Sequence, residues 1–372
     1  MELAPRQRGP IAVYGATGFT GRLVSQELAR SGADFIISGR SHGKLDALAR
    51  SLDPSPPTRA VTVDDGAGLR DLLADCSTVI ACAGPFTLHG EPVLEAAVAT
   101  GTDYLDTTGE QPFIRLAYDT YGPRAARGGT AVIPGMGFDY VPGDMIASLT
   151  AAGLGRLDTV RLAYATSFQM TRGTMLSALE MIKGGDLQWK DSRLVPAPQS
   201  ISRGEFDFGP PLGEQAMTRY PAGEQIMLPR HLDVRTVETM LSAGSIAPGP
   251  LTDLTPMIAR PAGLLMRTPV RKLAGSLISR LPEGPDEEDR AAARFTIACE
   301  VRAADGTTRQ GRITGRDVYG ITAALIVKGA IASACGDVES SGGLAPSQAF
   351  DPNLFLDGFG DFTLEWSVDP SQ

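Results

Sequence analysis

Three glycines at intervals of three, Gly15, Gly18 and Gly21, lie between a short apolar run and a helical pattern, in the stretch Ile11-Ala-Val-Tyr-Gly-Ala-Thr-Gly-Phe-Thr-Gly21. This arrangement suits an extended pyrophosphate. Gly15 permits a tight turn out of a strand, Gly18 lets the backbone approach the phosphates, and Gly21 lets the helix pack close to the sheet. The free N–H groups and dipole of the helix N-terminus then hold the negative charge. Ala16, Thr17, Phe19 and Thr20 complete the cradle. The spacing is GxxGxxG rather than the commoner GxGxxG, so its weight comes from context, with a strand before and a helix after.

A second buried strand, Asp34 to Ser38, ends in Ser38-Gly39-Arg40-Ser41. A site for NAD usually places Asp or Glu here, on the ribose hydroxyls. Arg40 is flanked by hydroxyls and followed one turn later by Lys44. Its guanidinium suits a 2′-phosphate and can stack on adenine, so the reading is NADPH. The competing reading is a solvated loop arginine. Asp65 follows a third strand, Ala60 to Val63. It either receives the adenine amino group or caps the next helix. Beyond a fourth strand, Thr78 to Cys82, the small residues of Cys82, Ala83, Gly84, Pro85 and Phe86 let a ribose approach the backbone.

In a doubly wound sheet the ligand lies at the carboxyl ends of the strands. That rule brings together four loops, 15–21, 84–91, 106–110 and 135–144, and with them His89, Asp106, Glu110, Asp139 and Tyr140. A hydride transfer needs a donor, which the cofactor carries, and a proton source. Tyr140 is the first candidate acid; the alternative is an aromatic packed at a domain hinge. His89 is an acid, an orienter or a structural hydrogen bonder. Asp139 is a third candidate or a cap on the following helix. Asp106 and Glu110 are read as holding loop backbone.

Along the chain, strands and helices alternate as in a parallel sheet. Helices are expected over Glu91–Thr100 and Pro112–Arg127, with strands at Asp103–Asp106 and Thr130–Pro134. The fold class is α/β, a Rossmann doubly wound sheet over residues 1–147. A mixed α+β substrate and dimerisation domain follows over 148–372, its C-terminal segment able to return to the first. Within the second, Thr159–Ala165 and Glu224–Leu228 read as strands. Gly173–Ile182, Val234–Ala243 and Pro256–Leu281 read as helices, the last interrupted at Pro261 and Pro269. A hairpin turns at Asp305-Gly306. A long apolar helix, Gly320–Ala334, a loop, 340–346, and a strand, Phe362–Val368, end the chain.

The 372 residues carry a net charge of −9, which argues against nucleic acid as partner. Cys76, Cys82, Cys299 and Cys335 have no metal-ligand spacing and read as reduced cysteines of a cytoplasmic protein. The first ten residues lack the apolar core of a signal peptide. The best membrane candidate, Ile321–Ala334, is too short and contains Lys328, so no transmembrane segment is expected. Arg260, Arg267, Arg271, Lys272 and Arg280 stand among apolar residues. The segment reads as a solvated helix face, or as a surface for an acidic carrier or a peripheral membrane contact.

The motifs GATGFTG, SGR, CAGPF with GEPV, YLDTTGE and GFDYVPGD together resemble the saccharopine dehydrogenase (saccharopine reductase) superfamily. With RGTMLSALEM, LPEGPDEEDRAAARF and the helix that begins at Tyr319, the chain is similar to stand-alone members that include the trans-acting enoyl reductases of lipid biosynthesis. The resemblance implies NADPH-linked reduction, of C=C bonds in some members and of imines in others. It also implies a second-domain sheet that commonly makes a dimer contact. The apolar second half points to a hydrophobic substrate, which a carrier could hold as a thioester. A saccharopine-type substrate would want arginine clamps, for which Arg161, Arg172 and Arg203 are available. A non-catalytic NADP(H) sensor is the reading from another class.

Overall fold

The computed structural model describes residues 7–167, 169–198, 203–246, 275–278 and 280–370. The chain divides into two units, 1–141 with 319–351, and 142–318 with 352–372.

The first unit grows from β1 (Ile11–Tyr14), buried on both faces, as a strand sandwiched between helix layers must be. Around it stand β2 (Phe35–Gly39), β3 (Thr58–Ala60), β4 (Thr78–Ala81), β5 (Asp103–Asp106) and β6 (Ala131–Ile133). With a two-residue strand, Gly342–Gly343, outside β6, the order across the sheet ends β6-β5-β4-β1-β2-β3. Every pairing is parallel. The order reverses between β1 and β4, and that reversal opens the crevice where such sheets bind ligands.

The apolar helix Val318–Cys335 belongs to this unit. Its 18 residues are long and apolar enough to cross a membrane, so the length expected from sequence was an underestimate. Most of the helix is buried inside the protein, as in a core helix. At Gly329 an added Cβ would come within 2.7 Å of the Met136 side chain and 3.3 Å of Leu105. Ser333 donates to Asp103 at 2.8 Å, and Arg8 pairs with the same carboxylate at 3.1 Å. These bonds fasten the helix to the amino end of β5.

The second unit is built on β7 (Leu157–Thr166). The other strands are β8 (Leu187–Lys190), β9 (Arg193–Pro196), β10 (Arg203–Asp207), β11 (Glu214–Arg219), β12 (Val234–Ser242), β13 (Arg294–Ala303) and β14 (Thr308–Arg316). β8 and β9 form a separate hairpin. The main sheet runs β10-β11-β12-β7-β13-β14 and ends on the strand Glu365–Val368. β12 is parallel to β7 and β13 antiparallel, so the sheet is mixed.

Within this unit His231 Nε2 lies 2.7 Å from Asp144 Oδ1, and both side chains are largely buried. Burial opposes the imidazolium, but the charge and hydrogen bond of Asp144 more than offset it, so the His231 pKa is raised. A raised histidine pKa contributes stability below the ordinary histidine value, and that stability is lost as pH climbs through the folded value. Thermal unfolding of the native chain against His231→Gln should therefore show the native advantage growing from pH 9 to pH 6, by on the order of 1 kcal/mol.

Several elements depart from expectation. Val234–Ala243 is not a helix but β12, because its Val and Thr residues bury Val234, Val237, Thr239 and Ser242 against β7. Glu224–Leu228 is not a strand. Glu224–Met227 is a helical turn that continues into Leu228–Arg230, with Pro229 in its opening turn. β3 lies earlier than expected. The helix expected from Glu91 begins at Phe86, and the one expected over 112–127 is split by a π-turn, Leu116–Tyr121. The loop at 340–346 supplies the strand Gly342–Gly343. Residues 256–274, with Arg260, Arg267, Arg271 and Lys272, lie outside the described residues.

Candidate functional site

The end of β1 meets the end of β4 in the crevice. Gly15 has φ +82°, and a Cβ on it would lie 2.9 Å from the Ala83 nitrogen. Cys82 N–H donates to the Tyr14 carbonyl at 2.8 Å and Gly18 N–H to the Gly15 carbonyl at 3.0 Å. A Cβ on Gly21 would overlap the Gly15 carbonyl oxygen, so only glycine lets the helix Phe19–Ser31 start this close to the turn. Gly18 is the N-cap of that helix. No side chain caps the terminus, and its first turn holds no acid. Ala16 is buried, Thr17 and Thr20 are half-buried, and Arg22 donates to the Thr17 carbonyl at 2.9 Å. The Phe19 ring packs edge-on against Tyr319, 5.3 Å between centroids.

The helix starts along this edge are not alike. The helix after β3 is capped by Asp65, whose Oδ1 accepts from Gly68 N–H at 2.8 Å. The helix after β4 is capped by Glu110. The helices after β1 and β2 carry neither an acid in the first turn nor a side-chain cap. Uncapped amide groups and the helix dipole favour an anion at those two starts. β2 ends on buried Ser38 and Gly39, and exposed Arg40 and half-buried Ser41 lie between it and its helix. Ser38 donates to the Arg59 carbonyl at 2.7 Å, which fixes β2 to β3. Burial pushes the Tyr14 hydroxyl up to about 12, against the nearby positive charge of Arg40.

On the other side of β1 the loops are joined by buried carboxylates. Glu110 is fully buried; Oε1 accepts from Phe86 N–H at 2.8 Å, and Oε2 accepts from Thr87 N–H at 2.9 Å and from the Thr87 hydroxyl at 2.6 Å. Asp106 Oδ1 accepts from Thr108 N–H at 2.8 Å and Gly135 N–H at 2.9 Å. The Asp106 carbonyl accepts from Met136 N–H at 2.7 Å. Tyr140 is fully buried and donates its hydroxyl to the Gly109 carbonyl at 2.7 Å. Asp139 is exposed, its Oδ2 3.5 Å from where a Cβ on Gly109 would be. His89 is exposed in the first turn after Pro85. Burial pushes the Cys82 thiol up to about 12, which makes it a poor nucleophile.

Sequence reasoning passed over Thr87, Thr108, Thr322 and Tyr319. Thr322 accepts from Phe138 N–H at 3.0 Å and so supports the loop after β6. Nothing near residue 138 or Phe19 in the sequence points to partners some 180 to 300 positions away. In the second unit, Arg161 pairs with Glu238 at 3.0 Å and Glu300 at 3.4 Å, and Arg172 with Glu283 at 3.3 Å. Arg203's side chain is outside the described residues.

Residues 11–133 match the family described as the saccharopine dehydrogenase NADP binding domain. A Mycobacterium tuberculosis protein that carries a provisional trans-acting enoyl reductase name is 34% identical over 224 residues, 56% of this chain and 53% of that one. A trans-acting enoyl reductase of Mycobacterium bovis is 36% identical over 149 residues, 38% of this chain and 36% of that one. The chain thus spans about half the length, or less, of these curated relatives. The apo saccharopine dehydrogenase (L-Glu forming) of Saccharomyces cerevisiae shares the fold, with a TM-score of 0.61 over 97% of this chain and all of that one, at 16% identity. The residues of the crevice fit the nucleotide named by that family: a glycine turn, two helix starts without a side-chain cap, and the exposed Arg40 one residue beyond β2. Over residues 11–133 the chain is thus similar to the saccharopine dehydrogenase NADP binding domain, and over 38–56% of its length to proteins named trans-acting enoyl reductases.

Proposed function

We propose that this chain is an NADPH-dependent reductase of a C=C bond of enoyl type in a hydrophobic substrate. The observation that carries the NADPH part is the pair of uncapped helix starts on either side of Arg40, at the carboxyl ends of β1 and β2. The enoyl part is supported by the name of the relatives. Arg161 and Arg172, two of the three candidate clamps for a dicarboxylate substrate, are paired with carboxylates of the chain itself.

NADPH, when bound, supplies the hydride. Gly15 to Gly21 would hold its pyrophosphate, and Arg40 with Ser41 its 2′-phosphate. Ala83 to Phe86 would border its ribose. Tyr140 acts as a brace, since its hydroxyl proton is engaged by Gly109. Asp139 and His89 are exposed titratable side chains of these loops, within reach of a substrate or a proton-carrying water. The proposed substrate form is an acyl thioester on a carrier, and the proposed setting is a homodimer in the cytoplasm.

Fluorescence titration of the purified protein with NADPH and NADH tests this first. Arg40→Ala should weaken NADPH by about 10- to 100-fold and leave NADH nearly unchanged, as the loss of a charge-assisted phosphate contact predicts. Equal losses for both nucleotides would remove Arg40 from the 2′-phosphate. Oxidation of NADPH by enoyl thioesters, rather than by cyclic imines, would establish the bond type. Tight binding with no oxidation by either class would favour a sensor.

A further inference from the structure

The helix Val318–Cys335 touches two parts of the crevice that lie far apart in sequence. On its first turn the Tyr319 ring meets the Phe19 ring edge-on, 5.3 Å between centroids. Phe19 is the first residue of the helix that follows Gly18. One turn further along, the Thr322 hydroxyl accepts from Phe138 N–H at 3.0 Å, in the loop after β6. Residues three apart on a helix are neighbours on its surface, so one stripe makes both contacts. Gly329, about two turns beyond Thr322, continues that stripe. A Cβ there would come within 2.7 Å of the Met136 side chain. The loop therefore lies along the helix. Gly137 lets it lie close, since a Cβ at that position would come within 3.1 Å of Thr322 Cγ2.

Met136, Phe138 and Tyr319 are buried, whereas Asp139 is exposed. Beyond Asp139 the Tyr140 hydroxyl is held by the Gly109 carbonyl at 2.7 Å. The chain is thus pinned on each side of Asp139, by Thr322 before it and by Gly109 after it.

We propose that Tyr319 and Thr322 are positioning residues, through which a nucleotide held at Gly15–Gly21 orders the loop 135–140 and so places Asp139. This role rests on the reading of that turn as the NADPH phosphate site. A helical turn is stiff, so Tyr319 and Thr322 move together. Phosphates engaged by the N–H groups at the start of the helix Phe19–Ser31 hold Phe19 still. Phe19 then restrains Tyr319, and Tyr319 restrains the turn that carries the Thr322 hydroxyl. Phe138 N–H keeps its acceptor, and the loop has less freedom left to lose when substrate arrives. Two sites are coupled in this way through order alone, without a displacement. Asp106 also anchors the loop from β5, at Gly135 and Met136. If that anchor alone set the loop, Phe138 would be indifferent to Tyr319.

Amide hydrogen exchange at Phe138, which reads local opening, tests the link on the full chain with and without saturating NADP⁺. Bound NADP⁺ should slow exchange there by about 5- to 20-fold. Tyr319→Leu keeps an apolar side chain in the buried position and removes the ring that meets Phe19. It should bind NADP⁺ within about threefold of the native chain and lose the response at Phe138. Tyr319→Phe keeps the ring and should keep the response. Thr322→Val removes the acceptor at nearly the same volume. It should speed Phe138 exchange by about tenfold and make it insensitive to NADP⁺. Thr322→Ser retains the hydroxyl and should restore both. A merely structural Thr322 predicts otherwise: Thr322→Val would speed exchange equally with and without NADP⁺, and their ratio would stand.

Flat exchange at Phe138 when the native chain is saturated with NADP⁺ overturns the link, as does a full response in Tyr319→Leu. Should Tyr319→Leu fold poorly, the native response and the Thr322 pair carry the decision. A native chain that binds no NADP⁺ in a direct titration refutes the reading of the phosphate turn, and the link falls with it. Binding without a response at Phe138 removes the link alone.

Discussion

Gly21→Ala should lose about 3 kcal/mol or more of the first unit's stability and weaken NADPH binding by roughly 100-fold or more. The added methyl would overlap the Gly15 carbonyl oxygen and come within 2.8 Å of the Ala16 Cα. These are backbone atoms, and Gly15 is itself pressed against Ala83, so the turn has nowhere to move. The helix Phe19–Ser31 must lift from the sheet, and its free N–H groups leave the crevice with it. Gly18→Ala separates the two effects. Gly18 has φ −75°, open to any residue, and its Cβ would meet only the Gly15 carbonyl, at 3.3 Å. The variant should unfold within about 1 kcal/mol of the native chain, since a tight contact at an exposed position costs little. Yet it should bind NADPH at least about tenfold more weakly, because the methyl occupies ground the phosphates need. Calorimetric unfolding and nucleotide titration of both variants check this. If Gly18→Ala binds NADPH like the native chain, the phosphates do not lie against Gly18.

Much of this half of the crevice is legible in sequence, because each decision is local. A glycine triplet, an apolar run and a helical period within one βαβ unit leave a single geometry available. Arg40 is legible for the same reason, lying one residue beyond its strand. The other half is not legible. Glu110 caps a helix whose start is 24 residues earlier, and the distance hides it: the sequence pattern begins the helix at Glu91, whereas the structure begins it at Phe86. Val234–Ser242 fails differently. Its alternation is blurred by Arg235 and Glu238, exposed but three residues apart, and only pairing with β7 decides for a strand.

Glu110→Ala should destabilise the first unit by about 3 kcal/mol and slow turnover far more than it weakens NADPH binding. The carboxylate accepts from the N–H groups of Phe86 and Thr87, and Phe86 is buried. A capping side chain is worth about 1 kcal/mol, and each buried donor left without an acceptor costs about 1 to 3 kcal/mol. The helix start should fray and release the segment Ala83–Phe86 that closes the crevice beside Gly15. The turn Gly15–Gly21 and Arg40, the proposed phosphate contacts, keep their own supports, so the dissociation constant for NADPH should rise only about threefold. The proposed ribose and nicotinamide side loses its wall, and a misplacement on the order of 1 Å at a reacting centre costs roughly 100-fold in rate. Glu110→Gln should fall between, because its carbonyl still serves Phe86 while its amide cannot accept from Thr87. Single-turnover oxidation of bound NADPH, read beside the binding titration, separates the two quantities. Equal losses in binding and rate would mean that Glu110 supports the whole crevice rather than its reactive end.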